Sequence, residues 1–215
     1  MRRRMCLLLL LSMALCRAEI IDRVAVTAGK REVTQSDILR EIRLSAFFDQ
    51  ADPDFSPPAR RKAAERLVER ALMENEMDIG RYPAPQSSEI EAAFSTMKKD
   101  RFPTEESYRG ALVRYGLRTD DVRLFLLLQA AVLRFIDARF GPAVQILEAE
   151  MSDYYKSRFV PQWKSGAGKP APAFEEIRRE IEEDLRAERV DRLIDEWLKE
   201  AKDRIRIEFK EEAFQ

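Results

Sequence analysis

The chain has 215 residues, of which 45% are apolar and 36% charged, a composition typical of a folded protein rich in amphipathic helices. Its 38 lysine and arginine residues are balanced by 39 acidic residues, so no overall basic field favours DNA or RNA as a partner. The sequence contains no histidine, which excludes histidine-based catalytic triads and HExxH zinc sites.

The first eighteen residues have the pattern of a secretory signal peptide. Three arginines at positions 2–4 precede an apolar run over residues 5–15, and a small-x-small cleavage site ends at Ala18. We expect cleavage there, export from the cytoplasm and no stable insertion in the membrane afterwards. The alternative is a lipoprotein acylated at Cys16, which the bulky residue before it disfavours. Because Cys6 also lies in this segment, the exported chain would have no thiol.

The next stretch predicts a β-hairpin followed by a capped helix. Gly29 fits the first position of a two-residue turn, because glycine adopts positive φ at little cost. Thr34 is the predicted N-cap of the helix, and the helix dipole favours the negative charge of Asp37 in the first turn. The first strand shows a period of two, in which Val24, Val26 and Ala28 face the core and Arg23, Ala25 and Thr27 face outward.

Helical periodicity and breaks at proline or glycine predict the remaining elements. The helices are expected at about residues 34–48, 56–79, 88–101, 105–115, 120–140, 148–159 and 174–202. The helix over residues 120–140 is apolar around more than half of its circumference, which predicts a central position. Residues 160–173 contain three prolines and two glycines, a composition typical of a flexible linker.

Residues 204–210 alternate polar and apolar side chains, which predicts a final strand. A single strand is not stable alone, so we expect it to pair with the opening hairpin. The predicted fold class is mainly α: a multi-helix module with a small antiparallel sheet formed by an N-terminal hairpin and a C-terminal strand.

Several segments carry a resemblance to a known family. Residues 21–37 have the order of an "I-D-R-V" strand, a glycine turn and a "V-T-x-S-D" helix entry, and residues 174–181 have the form "F-E-E-I-R-x-x-I". Residues 116–123 approximate a third pattern, "G-[LI]-[TS]-x-x-[DE]-[LVF]-R", with one residue fewer before the acidic position. A long helix follows this pattern. Together these segments resemble the SurA family, periplasmic chaperones of outer-membrane proteins, over nearly all of residues 21–209. In that family a helix like the one carrying Tyr154 leads into a parvulin-type prolyl isomerase domain, which is missing here.

The resemblance implies a division of the chain into four parts. Residues 1–18 would be the signal peptide, residues 19–159 the N-terminal helical chaperone region, residues 160–173 a flexible linker in place of the isomerase domain, and residues 174–215 a long helix and strand that pack back on the N-terminal region. It also implies an ATP-independent holdase, not an enzyme, that binds unfolded or extended polypeptides, outer-membrane proteins in particular, without a cofactor. The alternative is a non-catalytic structural or adaptor protein of the cell envelope with one dedicated protein partner. The oligomeric state stays open, a homodimer included.

Aromatic residues and methionine are the candidates for polypeptide binding, because they bury large areas and methionine adapts to varied partners. The same residue types build the cores of amphipathic helices, so a core position is the alternative for each. No catalytic, cofactor-binding or metal-binding residue is predicted. The candidate peptide-binding residues are Phe47, Phe48, Phe94, Met97, Phe102, Tyr154, Tyr155 and Trp163.

Overall fold

A computed structural model describes residues 22–166 and 170–215, without the side chains of residues 164–166. The predicted signal peptide, including both cysteines, and part of the predicted linker lie outside the described residues. The described chain is mainly helical with one small antiparallel sheet, which confirms the predicted fold class. The strands are β1 (Val24–Ala28), β2 (Arg31–Thr34) and β3 (Ile207–Phe209). The helices are α1 (Gln35–Asp49), α2 (Pro57–Gly80), α3 (Ser87–Arg101), α4 (Glu105–Tyr115), α5 (Thr119–Phe140), α6 (Glu148–Tyr154), α7 (Val160–Gly166) and α8 (Phe174–Asp203).

The sheet joins the two ends of the described chain in the order β2-β1-β3, with both pairs antiparallel. Gly29 has a φ of 61° in the hairpin turn, as predicted. The register shifts between Val24 and Val26, where β1 contains a bulge. The predicted outward position of Ala25 is therefore wrong: this residue is fully buried because the bulge interrupts the alternation of side chains.

Local signals set the first helices. The hydroxyl of Thr34 accepts the backbone N–H of Asp37 at 3.2 Å, and the Asp37 carboxylate accepts the N–H of Thr34 at 3.1 Å, so α1 begins with the predicted cap as a complete capping box. Helix α4 ends at Gly116, whose φ of 62° is left-handed, as its sequence predicts. The amide of Leu117 then donates to the carbonyl of Leu112 at 2.9 Å and folds the chain back.

The helices and the sheet enclose two hydrophobic cores. The first joins the sheet, α1, α2 and the C-terminal half of α8, with Val26, Ile38, Val68, Leu72, Leu198 and Phe214 among its buried members. The second joins α1, α3, α4 and the start of α5, with Phe47, Phe94, Tyr108, Tyr115 and Val122 among its members. Helix α6 packs separately on the N-terminal half of α8. Of all the helices in residues 22–166 and 170–215, none combines the length and the apolar character needed to cross a membrane.

The predicted linker over residues 160–173 is wrong in its first half. Residues 160–166 form α7, which continues α6 through a wide π-helical turn at Tyr155–Phe159. Pro161 lacks the N–H that a regular α-helix would use, and the turn just before it has already replaced the regular hydrogen-bond pattern. The proline therefore lies within a continuous helical segment instead of ending it.

Candidate functional site

Five of the predicted binding residues belong to the second core. Phe47, Phe94 and Met97 are buried, and Phe48 and Phe102 are half-buried against them. The Phe47 ring stacks on the Phe102 ring at 5.4 Å and meets the Phe48 ring edge-on at the same separation. The structure thus brings these residues together, but it places the first three inside the fold, where they stabilise the packing of α1 on α3 and α4.

The other three predicted residues lie on the helical segment formed by α6 and α7. The rings of Tyr155, Phe159 and Trp163 stack in a row, 5.9 and 5.6 Å apart, and all three are half-buried. The Tyr155 hydroxyl donates to the carbonyl of Pro172 at 2.8 Å. The Arg158 guanidinium lies 4.9 Å from the centre of the Tyr154 ring.

A groove that the sequence reasoning did not predict opens between the outer edge of β2 and helices α1, α2 and α5. Its volume is about 260 Å³. We call it the β2–α5 groove. Its apolar lining consists of Val33, Leu44, Leu67, Ala71, Leu124, Phe125 and Leu128, and its charged lining consists of Arg31, Glu32, Asp37, Arg40, Glu41, Arg70, Glu74 and Asp121.

Helix α5 supplies much of the apolar wall of this groove. Leu124, Phe125 and Leu128 are spaced so that they lie on one face of the helix. The Phe48 ring of α1 stacks on the Phe125 ring, with 4.7 Å between the ring centres. Leu124 remains 50% exposed at the mouth of the groove. One sequence signal could have identified this site. The apolar face of α5 is wider than the single side on which a surface helix is usually covered, so some of its apolar side chains are left to line a groove.

The guanidinium groups of the groove are held by carboxylates. Glu41 is buried and contacts Arg70 at 3.0 Å and Arg66 at 3.3 Å, which ties α1 to α2. Arg40 lies 3.3 Å from Asp37 and 3.7 Å from Asp121. These pairs fix the walls of the groove.

Two carboxylates of the groove have no such partner. The side chains of Glu32 and Glu74 make no hydrogen bond or ion pair with any residue in the described ranges, whereas Arg31 pairs with Asp78 at 3.0 Å. Carboxylates outnumber guanidinium groups by five to three in the lining. The groove therefore offers negative charge at its rim and apolar surface on its walls.

The free edge of β2 borders the groove. The carbonyl of Ala25 in β1 accepts the amide of Lys210 at 2.9 Å, and the amide of Gly29 just after β1 donates to the carbonyl of Arg206 at 3.0 Å. The backbone groups of Thr27, two residues from each, therefore also face β3. Glu32 is opposite Thr27 in the register between β1 and β2. Its backbone N–H and C=O therefore point away from β1, toward the open side of the sheet.

The described residues contain no group of three or more aspartate, glutamate, cysteine or histidine residues arranged to hold a metal ion. No protein-family model matches the chain, and no curated protein has significant sequence similarity to it. The arrangement of the groove, apolar walls beside a free strand edge, is suited to contact with polypeptide.

Proposed function

We propose that the protein is a SurA-like, ATP-independent holdase that binds unfolded exported polypeptides, outer-membrane proteins in particular, in the periplasm. It acts without catalysis and without a cofactor. The observation that carries this proposal is the open β2–α5 groove together with the exposed leucines of α5. Leu124 in the groove wall is 50% exposed, and Leu127, about one turn further along α5, is 38% exposed. Exposed apolar side chains that continue an apolar groove mark a place where another polypeptide binds.

The size of the groove fits transient binding. Burying one large apolar side chain contributes roughly 1.5 to 3 kcal/mol before the entropy of association is subtracted. A groove of about 260 Å³ accepts few side chains of a client at a time. Each contact is therefore weak, and a long unfolded client is held by many short contacts and released as it folds or passes to a partner.

The proposal is tested by diluting an unfolded outer-membrane β-barrel protein out of urea and following light scattering. Purified residues 19–215 should slow aggregation without ATP. Protection should survive a raised salt concentration, because apolar contacts are not screened as surface charge pairs are. An inert folded protein at equal concentration is the control. No protection at severalfold molar excess, with no affinity for aromatic-rich peptides, would reject the holdase.

The second candidate is a non-catalytic adaptor with one dedicated envelope partner. The aromatic row of Tyr155, Phe159 and Trp163 favours it, because large half-buried rings side by side offer the kind of contact area on which a single partner anchors. Affinity purification from envelope extracts separates the two candidates. Many porin-like clients support the holdase, whereas one stoichiometric partner supports the adaptor.

A further inference from the structure

We propose that the β2–α5 groove binds its client as an added β-strand on the free edge of β2. The preferred segments alternate leucine or aromatic side chains with lysine or arginine. This inference rests on the proposed function and names the kind of segment that the chaperone holds and the way it is held.

The strand edge supplies the backbone contacts. Strand β2 is an outer strand of the sheet, and the backbone N–H and C=O of Glu32 face away from β1. Free strand edges pair with extended polypeptides, and the main-chain hydrogen bonds do not depend on the client's sequence. This independence suits a protein that binds many different clients.

The walls of the groove supply the apolar contacts. In a strand, alternate side chains point to the same side, so an added strand directs every second side chain into the groove. There it meets Leu67 of α2 and Leu124 and Leu128 of α5. The volume of about 260 Å³ lies below the roughly 300 to 1,000 Å³ of small-molecule pockets, so the site fits side chains of an extended segment better than a whole ligand.

The rim charges set the preference for basic segments. Arg31, Arg40 and Arg70 are already paired with carboxylates of the protein. Glu32 and Glu74 are not paired with any residue in the described part of the chain. A client lysine or arginine that alternates with the buried side chains points to the face of the sheet that carries the Glu32 side chain, next to Val33 in β2, whereas an acidic residue there is repelled. Glu74 adds negative charge to the groove itself.

Binding of labelled peptides, followed by fluorescence anisotropy, tests the segment chemistry. A ten-residue peptide of alternating leucine and lysine should bind about tenfold more tightly than its leucine–glutamate counterpart. N-methylation of alternate backbone amides leaves the side chains in place but removes strand hydrogen bonds. Two such peptides can be made, methylated on the odd-numbered or on the even-numbered amides. Only the one whose methyl groups block the amides that face β2 should bind about tenfold more weakly. Equal affinity for all of these peptides would overturn the inference.

Two matched pairs of variants test the site. Glu32→Pro removes the outward N–H and the carboxylate, while Glu32→Gln removes only the charge. Proline is tolerated at an edge position whose N–H makes no ladder bond. The affinity of Glu32→Pro for the leucine–lysine peptide should therefore be about tenfold lower than that of Glu32→Gln. Leu124→Ala should lower the affinity for this peptide about tenfold. Leu133→Ala, on the same helix but outside the groove, should leave the affinity unchanged.

Aggregation assays with the same variants separate this inference from the proposed function. Full protection by Leu124→Ala and Glu32→Pro would keep the holdase and overturn the groove as its site. Peptide binding that depends on Leu124 and Glu32, without any protection of unfolded clients, would support the groove and reject the holdase. If sedimentation shows a dimer that Glu32→Pro dissociates, and no peptide binds, the edge belongs to a second copy and the inference is overturned.

Discussion

Five helices begin with the same contact, in which a carboxylate on the third helical residue accepts the backbone N–H of the residue before the helix. The N–H to carboxylate distances lie between 2.7 and 3.1 Å. Each contact satisfies one unpaired amide and places negative charge at the positive end of the helix dipole. The five carboxylates are those of Asp37, Glu89, Asp121, Glu150 and Glu176. Part of the high acidic content of the chain thus has a structural role.

Glu150 gives a prediction for pH dependence. The backbone N–H of Leu147 and the guanidinium of Arg189 hold the pKa of Glu150 below its usual 4.5. A lowered pKa in the folded state stabilises the protein at pH values above 4.5, and this contribution is lost as the pH falls through the lowered value. Glu150→Gln should therefore lower the melting temperature at neutral pH and leave it unchanged in strong acid.

Melting curves of Glu150→Gln at several pH values check this expectation. Glu182→Gln on the exposed side of α8 is the control, and it should melt like the original protein throughout. A deficit for Glu150→Gln that persists in strong acid would assign its effect to packing and not to charge.

Two glycines in and after α4 should respond to substitution in opposite directions. Gly116 has a φ of 62°, where an alanine is strained by roughly 1 to 2 kcal/mol. Gly110 lies in the helix interior, and a side-chain carbon added there meets nothing within 4 Å. Gly116→Ala should lower the free energy of unfolding by about 1 kcal/mol, and Gly110→Ala should raise it by up to about 1 kcal/mol.

Chemical denaturation of both variants is the measurement, and each serves as the control for the other. A loss of stability in Gly110→Ala would show that the exposed face of α4 makes a contact that the fold does not account for.

At the scale of elements, the sequence predicts the helices well where a local signal marks each end. The capping box at Thr34 and the left-handed Gly116 are such signals. Helices α5, α6 and α8 begin after Arg118, Leu147 and Ala173, which are not good N-caps, so their starts depend on the carboxylate three residues later. That signal is hard to separate from the many other acidic residues of the chain.

The pairing of β3 with β1 was predictable because the sequence offers few strands and a single strand needs a partner. The bulge beside Ala25 was not predictable, because a shift of register depends on how the two strands pair in the folded sheet and leaves no mark in the alternation of residue types. The helical continuation through Pro161 was missed for a similar reason: proline signals a break unless another irregularity has already changed the hydrogen bonding.

The candidate site shows what periodicity leaves undecided. The breadth of the apolar face of α5 predicts a central position for this helix, yet Leu124, Leu127 and Leu133 are exposed. Periodicity identifies which residues share a face, but whether another element covers that face depends on distant parts of the chain. Aromatic residues such as Phe47 are buried in the core because they remove the largest area from water, and the apolar lining of the groove contains four leucines but only one aromatic residue, Phe125.

At the scale of the whole molecule, α8 connects two regions with different amounts of buried surface. Its 30 residues span roughly 45 Å at about 1.5 Å each. The C-terminal half packs through Leu198 into the core that contains the sheet and α2. The N-terminal half packs on α6, where Met151 and Ile181 are the buried side chains. Ion pairs such as Arg158 with Glu188 add to this second contact, but exposed pairs contribute little.

This asymmetry predicts that α6 and α7 open locally while the sheet and α2 remain folded. Opening them exposes few buried side chains, so the free energy required is well below that of global unfolding. In hydrogen exchange followed by mass spectrometry, peptides from α6 and α7 should exchange at least about a hundredfold faster than peptides from α2.

Substituting a buried contact of that region sharpens the test. Ile181→Ala should accelerate exchange in α6 and α7 further and leave α2 unchanged, because Ile181 belongs to neither of the two main cores. The exposed Glu182→Gln should alter neither region. If α2 and α6 exchanged at the same rate, α8 would couple both of its ends into one cooperative unit, and the aromatic row on α6 and α7 would be as rigid as the sheet.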